Sequence, residues 1–298
     1  MAKEIDVENP SSASGGMKGK VVMVTGANAG MGKEICLALA RMGSALVMVC
    51  RDRGRGEAAR KEIASASGND AVELLLADLS SQQSIRQLVR DFTAAHTRLD
   101  VLVNNAGMSL PTRQVTADGI ETVFATNHLG PFLLTNLLLP VLTASAPARV
   151  VTVSSGVQAM AKIDFDDLQE VKSYSEIRSY NQSKLANLMF TYELARRLKG
   201  TGVTANALEP GFIKTSLKVP FPFSLFSFMR GKPVDGAKPT VFLASSPEVE
   251  GVTGTFFNNK GVATKSSAPS YDEDAARRLW QVSAELTHLD SKESATPG

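Results

Sequence analysis

Short apolar runs alternate with longer amphipathic stretches along most of this chain. The runs "VVMVTG", "ALVMVC", "VELLLAD", "DVLVNNAG" and "ARVVTVSS" are rich in valine and leucine and end in turn residues. Strands that are apolar on both faces belong in a parallel sheet covered by helices. Between them the pattern predicts helices over residues 31–42, 56–66, 81–95 and 127–144. Two later runs, "GVTANALEP" and "GVTGTFFNN", supply further strands. The alternation implies an α/β fold, a doubly wound parallel sheet with helices on both faces and ligands at the carboxyl ends of the strands. No repeat and no linker breaks it. A single domain is expected over residues 19–286, between a polar N-terminal tail, 1–18, and a C-terminal tail, 287–298.

Composition narrows the class. The chain has 298 residues, 43% hydrophobic and 21% charged, which suits a globular protein with a sizeable core. Its net charge is +2, from 32 basic and 30 acidic residues, without a long basic run, so nucleic acid is not an expected partner. No run of about eighteen apolar residues predicts a membrane span, and the N-terminus lacks the apolar core of a signal peptide. Cys36 and Cys50 lack CxxC spacing and read as reduced core thiols in a reducing, cytoplasmic compartment. His96, His128 and His288 are scattered, so no metal site is expected.

The first strand runs into "TGANAGMGKE", with Gly26, Gly30 and Gly32 directly before a helix. Glycine permits the tight turn and lets a helix N-terminus approach a pyrophosphate closely. A P-loop is disfavoured: Ala27 stands at its first glycine, and Glu34 follows Gly32-Lys33 where Ser or Thr is required. The spacing also departs from GxGxxG, with Asn28 at the second glycine. As TGxxxGxG it resembles the short-chain dehydrogenase/reductase family, classical type, whose sheet is of the Rossmann type. The family's extended branch would carry a glycine at position 29, which is Ala29 here. The resemblance implies that Gly26, Asn28, Ala29, Gly30, Met31 and Gly32 surround the cofactor's phosphates.

The dinucleotide is read at the second strand. NAD-binding folds place an acid roughly 20 residues past the glycines, for the ribose hydroxyls, and Asp52 lies at that distance. Counted from Gly43, however, the family's acid falls on Cys50, and Arg51 follows, with Arg53 and Arg55 nearby. A guanidinium suits a ribose 2'-phosphate, so NADP (NADPH) is favoured over NAD. The alternative is that these arginines form a solvated helix entry. Asp78 and Leu79, after the third strand, resemble the family's adenine contacts; Asp78 could equally cap the next helix.

"SYNQSK" places Tyr180 and Lys184 one helical turn apart, on one face. A free tyrosine titrates near about 10, and a neighbouring ammonium is expected to lower that value. Such a pair could exchange a proton with a carbonyl or hydroxyl oxygen. By the family resemblance, "VVTVSSG" supplies the catalytic Ser155, with Ser154 as a backbone-bonding neighbour or minor alternative. "ATNHLGPF" supplies the catalytic Asn127, which could instead cap a helix. In "VLVNNAG", Asn105, Ala106 and Gly107 line the cofactor while Asn104 braces the sheet. In "EPGFIKTSL", Pro210, Gly211, Ile213 and Thr215 hold the nicotinamide. The resemblance runs over residues 19–262.

Ser155 and Tyr180 stand 25 positions apart, longer than the family's commonest spacing. The extra polar, acidic segment is expected to form a surface loop or short helix beside the site. That spacing, "CRD" after the second strand and "NQSKLANLMFTYELARRL" resemble the retinol-dehydrogenase-like branch. This implies an NADP-dependent oxidoreductase of lipophilic alcohols, aldehydes or ketones. Two alternatives stand beside it: a non-catalytic NADP(H)-binding regulator, and an NAD-dependent dehydrogenase of small secondary alcohols. Phe221, Phe223, Phe226 and Phe228 offer a lid, a peripheral membrane contact or core packing. The family also implies homo-oligomers through the helices around residues 127–144 and 179–199.

Overall fold

The computed structural model describes residues 16–213 and 231–290. Eight strands form one sheet: β1 (Val21–Thr25), β2 (Ala45–Cys50), β3 (Val72–Leu76), β4 (Val101–Asn104), β5 (Ala148–Val153), β6 (Val203–Leu208), β7 (Phe256–Phe257) and β8 (Ala263–Thr264). Their order is β3-β2-β1-β4-β5-β6-β7-β8. All neighbours run parallel except β8, which pairs antiparallel with β7. The chain reverses its winding between β1 and β4, and such a switch point opens a crevice at the carboxyl strand ends.

The predicted helices form as α1 (Gly30–Arg41), α2 (Arg53–Ser67) and α3 (Gln82–Ala95). The fourth begins earlier than its apolar pattern suggests. A short turn, α4 (Thr122–Phe124), widens into a π turn over Ala125–Leu129 and runs on as α5 (Gly130–Ala144). Then come α6 (Glu176–Arg197), α7 (Pro233–Ser245) and α8 (Glu273–Leu286). Helices α1 and α7 pack with the core on one sheet face, including Ile35, Leu39, Val24, Val103 and Val241. The other face is covered by α3, α5 and α6 through Leu88, Phe92, Leu134, Leu138 and Phe190.

Packing extends past both expected tail boundaries. Met17 is buried and its N–H donates to Met42 O (3.0 Å). Leu289 is buried, and Arg86 donates to the carbonyls of Thr287 and His288. Helix α8 lays Trp280 against Phe132 and Phe190, at ring separations of 4.9 and 5.8 Å. The chain's own last helix thus covers part of the α5 and α6 surface on which self-association was expected.

Candidate active site

Glycine 26 takes φ +67°, and a Cβ there would lie 3.0 Å from Ala106 Cα. A Cβ on Gly32 would lie 2.1 Å from Gly26 O and 2.7 Å from Asn105 Nδ2. The turn therefore closes only without side chains at these two positions. Ala29 is the N-cap of α1 and offers it no side-chain cap, and the first turn holds no acid. The helix's N–H groups and dipole remain available to an anion, and at Gly30 nothing lies within 4 Å of where a Cβ would stand, which fits the approach of a dinucleotide pyrophosphate. Met31 is buried in the core beside Gly236, so only its backbone can take part. Asn28 is half-buried at this turn and Ala29 is exposed.

Thr25 ties the neighbouring strand end to this turn. Its Oγ1 accepts from the Asn105 and Ala106 N–H groups (3.0 and 3.1 Å), while Asn105 Nδ2 donates to Thr25 O (2.8 Å). Asn104 donates to Thr135 Oγ1 (3.0 Å), linking β4 to α5. At β2 the carboxylate of Asp52 caps α2, accepting from Arg55 N–H (2.8 Å). Cys50 is buried, and burial pushes its thiol up to about 11. Arg51 is largely exposed, with Nη1 3.8 Å from Asp78 Oδ2. Asp78 does not cap α3; Ser81 does, while Asp78 accepts from the Ser80 N–H and hydroxyl (2.9 and 2.7 Å). Leu79 is buried, and its carbonyl would lie 2.6 Å from a Cβ at Gly130.

Three predicted elements converge at Gly107. A Cβ there would stand 3.4 Å from Lys184 Nζ and 3.5 Å from Asn127 Oδ1. Asn127 is no helix cap. It sits fully buried in the π turn, accepts from Met108 N–H (2.8 Å), and donates to Met108 O (2.9 Å) and Ser183 Oγ (3.0 Å). Such π turns recur at functional sites because the extra residue redirects a side chain. Lys184 is buried and donates to Val153 O (3.1 Å); Ser154 donates to Lys184 O (2.8 Å) and so fastens α6 to β5. Ser155 begins the 3₁₀ turn Gly156–Met160, its oxygen accepting from Val157 N–H (3.4 Å).

Tyr180 lies in the first turns of α6, with Lys184 Nζ 5.6 Å from its ring centre. The expected lowering of Tyr180 by the ammonium is not what the surroundings produce. Part of the side chain still reaches the surface, yet burial pushes its hydroxyl up to about 12. Burial brings Lys184 down to about 8. Desolvation outweighs the charge at this separation: the Lys184 ammonium has only the Val153 carbonyl in place of water, and the two groups stand too far apart for a direct ion pair.

Past the end of β6, Gly211 takes φ +79° and Ile213 is buried against Gly231 and Gly236. Thr215 and the four phenylalanines from Phe221 to Phe228 lie outside the described residues. The segment between Ser155 and Tyr180 forms turns anchored by Gln182, which accepts from Asp164 N–H (2.9 Å) and donates to Leu168 O (3.0 Å). Sequence reasoning left Gln182 unassigned. It also missed Ser183, although that residue lies one helical turn from Tyr180, and Glu209, a charge at the end of an apolar strand.

A cavity of about 1020 Å³ opens at the other end of the sheet, by Lys20, Val101, Ala148 and Val203 at the strand starts. It holds none of the predicted site residues, and the geometry above places the candidate site at the carboxyl ends. Among the described residues no helix is long and apolar enough to cross a membrane.

A glycine turn at a sheet switch point stands beside a buried lysine and asparagine and a half-buried tyrosine, an arrangement suited to a nicotinamide-dependent oxidoreductase. The chain belongs to the short-chain dehydrogenase family, whose model matches residues 20–222. It is an NAD(P)-dependent oxidoreductase of the retinol-dehydrogenase-like branch. It is 43% identical to retinol dehydrogenase 14 of Homo sapiens over 92% of this chain and 88% of that protein. Retinol dehydrogenase 11 of Homo sapiens is 44% identical over 92% of this chain and 87% of that one. A crystal structure of an uncharacterized protein from Mycobacterium Paratuberculosis matches with a TM-score of 0.79 and 33% identity, covering 95% of this chain and 97% of that one. A short chain dehydrogenase from Shigella flexneri 2a, solved with NADP, shares the fold with a TM-score of 0.67 at 21% identity, covering 82% of this chain and 98% of that one.

Proposed function

We propose that this chain is an NADP-dependent oxidoreductase acting on a lipophilic alcohol or carbonyl compound, with Asn127, Ser155, Tyr180 and Lys184 as its working residues. The observation that carries the reading is the meeting of Lys184 and Asn127 at Gly107, one helical turn from Tyr180. When bound, the nicotinamide supplies or accepts the hydride. Gly26, Asn28, Ala29, Gly30, Met31 and Gly32 hold its pyrophosphate through the turn and the start of α1. The Asn105–Gly107 turn, Asp78, Leu79, Pro210, Gly211, Ile213 and Thr215 complete its contacts.

In reduction, Tyr180 gives its proton to the carbonyl oxygen, and Ser155 donates a hydrogen bond to the same oxygen. A tyrosine pushed up to about 12 is protonated at neutral pH, so the proton is in place to be given. Lys184, brought down to about 8, still carries its charge there and steadies the phenolate as it forms. Asn127 links the Met108 backbone to Ser183 and so holds the two walls of the site together.

Arg51 supports NADP. Its guanidinium is exposed beside Asp78, and Cys50 stands where NAD-type members carry an acid. Asp52, the rival ribose acid, is already engaged as the α2 cap. The relatives' names carry retinol, a lipophilic alcohol, which supports an apolar substrate. The buried thiols of Cys36 and Cys50 accord with a reducing, cytoplasmic setting.

The test is a panel of lipophilic aldehydes, ketones and alcohols with NADPH and NADH side by side, for the wild type and Arg51→Ala. NADPH should be preferred by the wild type, and the preference should fall about tenfold or more in the variant, as loss of a charged hydrogen bond requires. Equal or greater activity with NADH would remove the NADP assignment and support a dehydrogenase of small alcohols. Cofactor binding without turnover would support a regulatory role instead.

A further inference from the structure

Glu209 directly follows the strand β6 and precedes Pro210-Gly211. Its backbone is fixed on both sides: Ser154 N–H donates to Leu208 O (2.8 Å), and Glu209 N–H donates to Phe257 O (3.0 Å). Its carboxylate reaches toward β5. Glu209 Oε2 lies 2.5 Å from where a Cβ on Gly156 would stand, one residue beyond Ser155. A side chain at position 156 would displace the carboxylate, so the glycine leaves room for it.

The residue is half-buried, and among the described residues its carboxylate makes no hydrogen bond or ion pair. Burial raises its pKa. A carboxylate taken partly out of water without a partner is unfavourable in the free protein, and a donor that arrives with a ligand reverses that. Lys184 does not serve, since its ammonium is directed to Val153 O.

We propose that Glu209 is a specificity-determining residue, which receives a hydroxyl or ammonium group carried by an otherwise apolar substrate next to its reacting carbon. This rests on the oxidoreductase reading and on Ser155 marking the reacting oxygen. It adds that the substrate is not a plain hydrocarbon carbonyl. A neutral hydroxyl and a cationic ammonium share the chemistry of donation to a carboxylate, and the experiment separates them.

The probes are propiophenone and its 2-hydroxy and 2-amino analogues. For each, kcat/KM with NADPH and the equilibrium dissociation constant by calorimetry are measured for the wild type, Glu209→Gln and Gly156→Ala. The wild type should favour at least one donor-bearing analogue over propiophenone, by on the order of 10- to 100-fold. Gly156→Ala, which pushes the carboxylate aside, should collapse that ratio. Glu209→Gln should keep most of a preference for hydroxyl and lose one for ammonium, which identifies the source. Ratios that are unmoved in both variants, equal binding of the three probes, or binding of none would overturn the proposal.

Tyr180→Phe separates the two readings. Turnover that depends on Tyr180 with no dependence of the ratio on Glu209 leaves the oxidoreductase reading and removes this one. A Glu209-dependent binding ratio without any turnover does the reverse.

Discussion

At the carboxyl end of the sheet, residues 25–32 keep their shape through backbone and the absence of side chains. Residues 156–175, across the same crevice, keep theirs through side chains reaching over long stretches of chain. In the first region a Cβ on Gly32 would meet Gly26 O at 2.1 Å, and Thr25 secures the adjoining strand end. In the second, Gln182 holds Asp164 and Leu168, Arg113 donates to Gln169 O (2.9 Å), and Tyr174 donates to Leu110 O (2.7 Å). A cofactor common to a family is met by a backbone device. A substrate particular to one member is met by a patchwork of side chains.

The largest effect is expected where the two regions meet chemically. Tyr180→Phe removes the proton donor while leaving the ring that packs beside Lys184. Turnover should fall on the order of 10³-fold, with cofactor affinity unchanged by calorimetry and the fold unchanged by circular dichroism. A variant that keeps its rate would detach the chemistry from α6 and leave the convergence at Gly107 without a role.

Gly32→Ala tests the backbone side. Its Cβ would meet a carbonyl at 2.1 Å, and that carbonyl belongs to the turn itself. Overpacking of this kind costs about 1–3 kcal/mol. Dinucleotide affinity should drop on the order of tenfold beyond that loss of stability, because the turn must open where it cradles the phosphates. Thermal unfolding and cofactor titration read the two parts. Unchanged affinity would mean that the cradle is slack.

The contrast also explains what could be read in advance. The strands β1 to β6 announce themselves because doubly buried strands are continuous apolar runs, and the glycine turn because no other residue fits it. Tyr180 and Lys184 are local to one helix, so their spacing was visible. Antiparallel β8 was not, since Ala263 and Thr264 are exposed and carry no apolar pattern. The π turn around Asn127 was hidden inside the apolar periodicity of α5. Glu209 and Gln182 act through partners that neither neighbouring sequence nor spacing reveals. The pKa directions at Tyr180 and Lys184 depend on burial, which spacing does not measure.

His128, next to Asn127, extends the long-range side of the comparison into the core. Its Nε2 lies 2.9 Å from Ser283 Oγ on α8. The Ser283 hydroxyl donates to Leu279 O (2.7 Å), which leaves its oxygen to accept from an Nε2 proton, while Nδ1 lies 3.4 Å from Asn187 Oδ1. Burial lowers His128 to about 4. The unfolded chain binds a proton at this position near about pH 6.5, and the folded chain does so only at the lower value. Stability should therefore fall as pH drops from about 6.5 toward about 4, by on the order of 3 kcal/mol from this group, and level off below. Urea unfolding across that range should show a shallower decline in His128→Gln. An equal decline would place the acid sensitivity elsewhere.

The smallest effect should come from Gln182→Ala, and it separates the two regions most cleanly. The substitution leaves Asp164 N–H and Leu168 O without their partner, at a cost of about 1–3 kcal/mol. Asp164 and Leu168 lie in the segment between Ser155 and α6, apart in the chain from the glycine turn. KM for the carbonyl substrate should rise several-fold on the scale of that loss, while the dissociation constant for the dinucleotide stays at its wild-type value. A parallel rise in both would show that the loop and the cradle respond as one unit. The division between a backbone-built cofactor site and a side-chain-built substrate site would then fail.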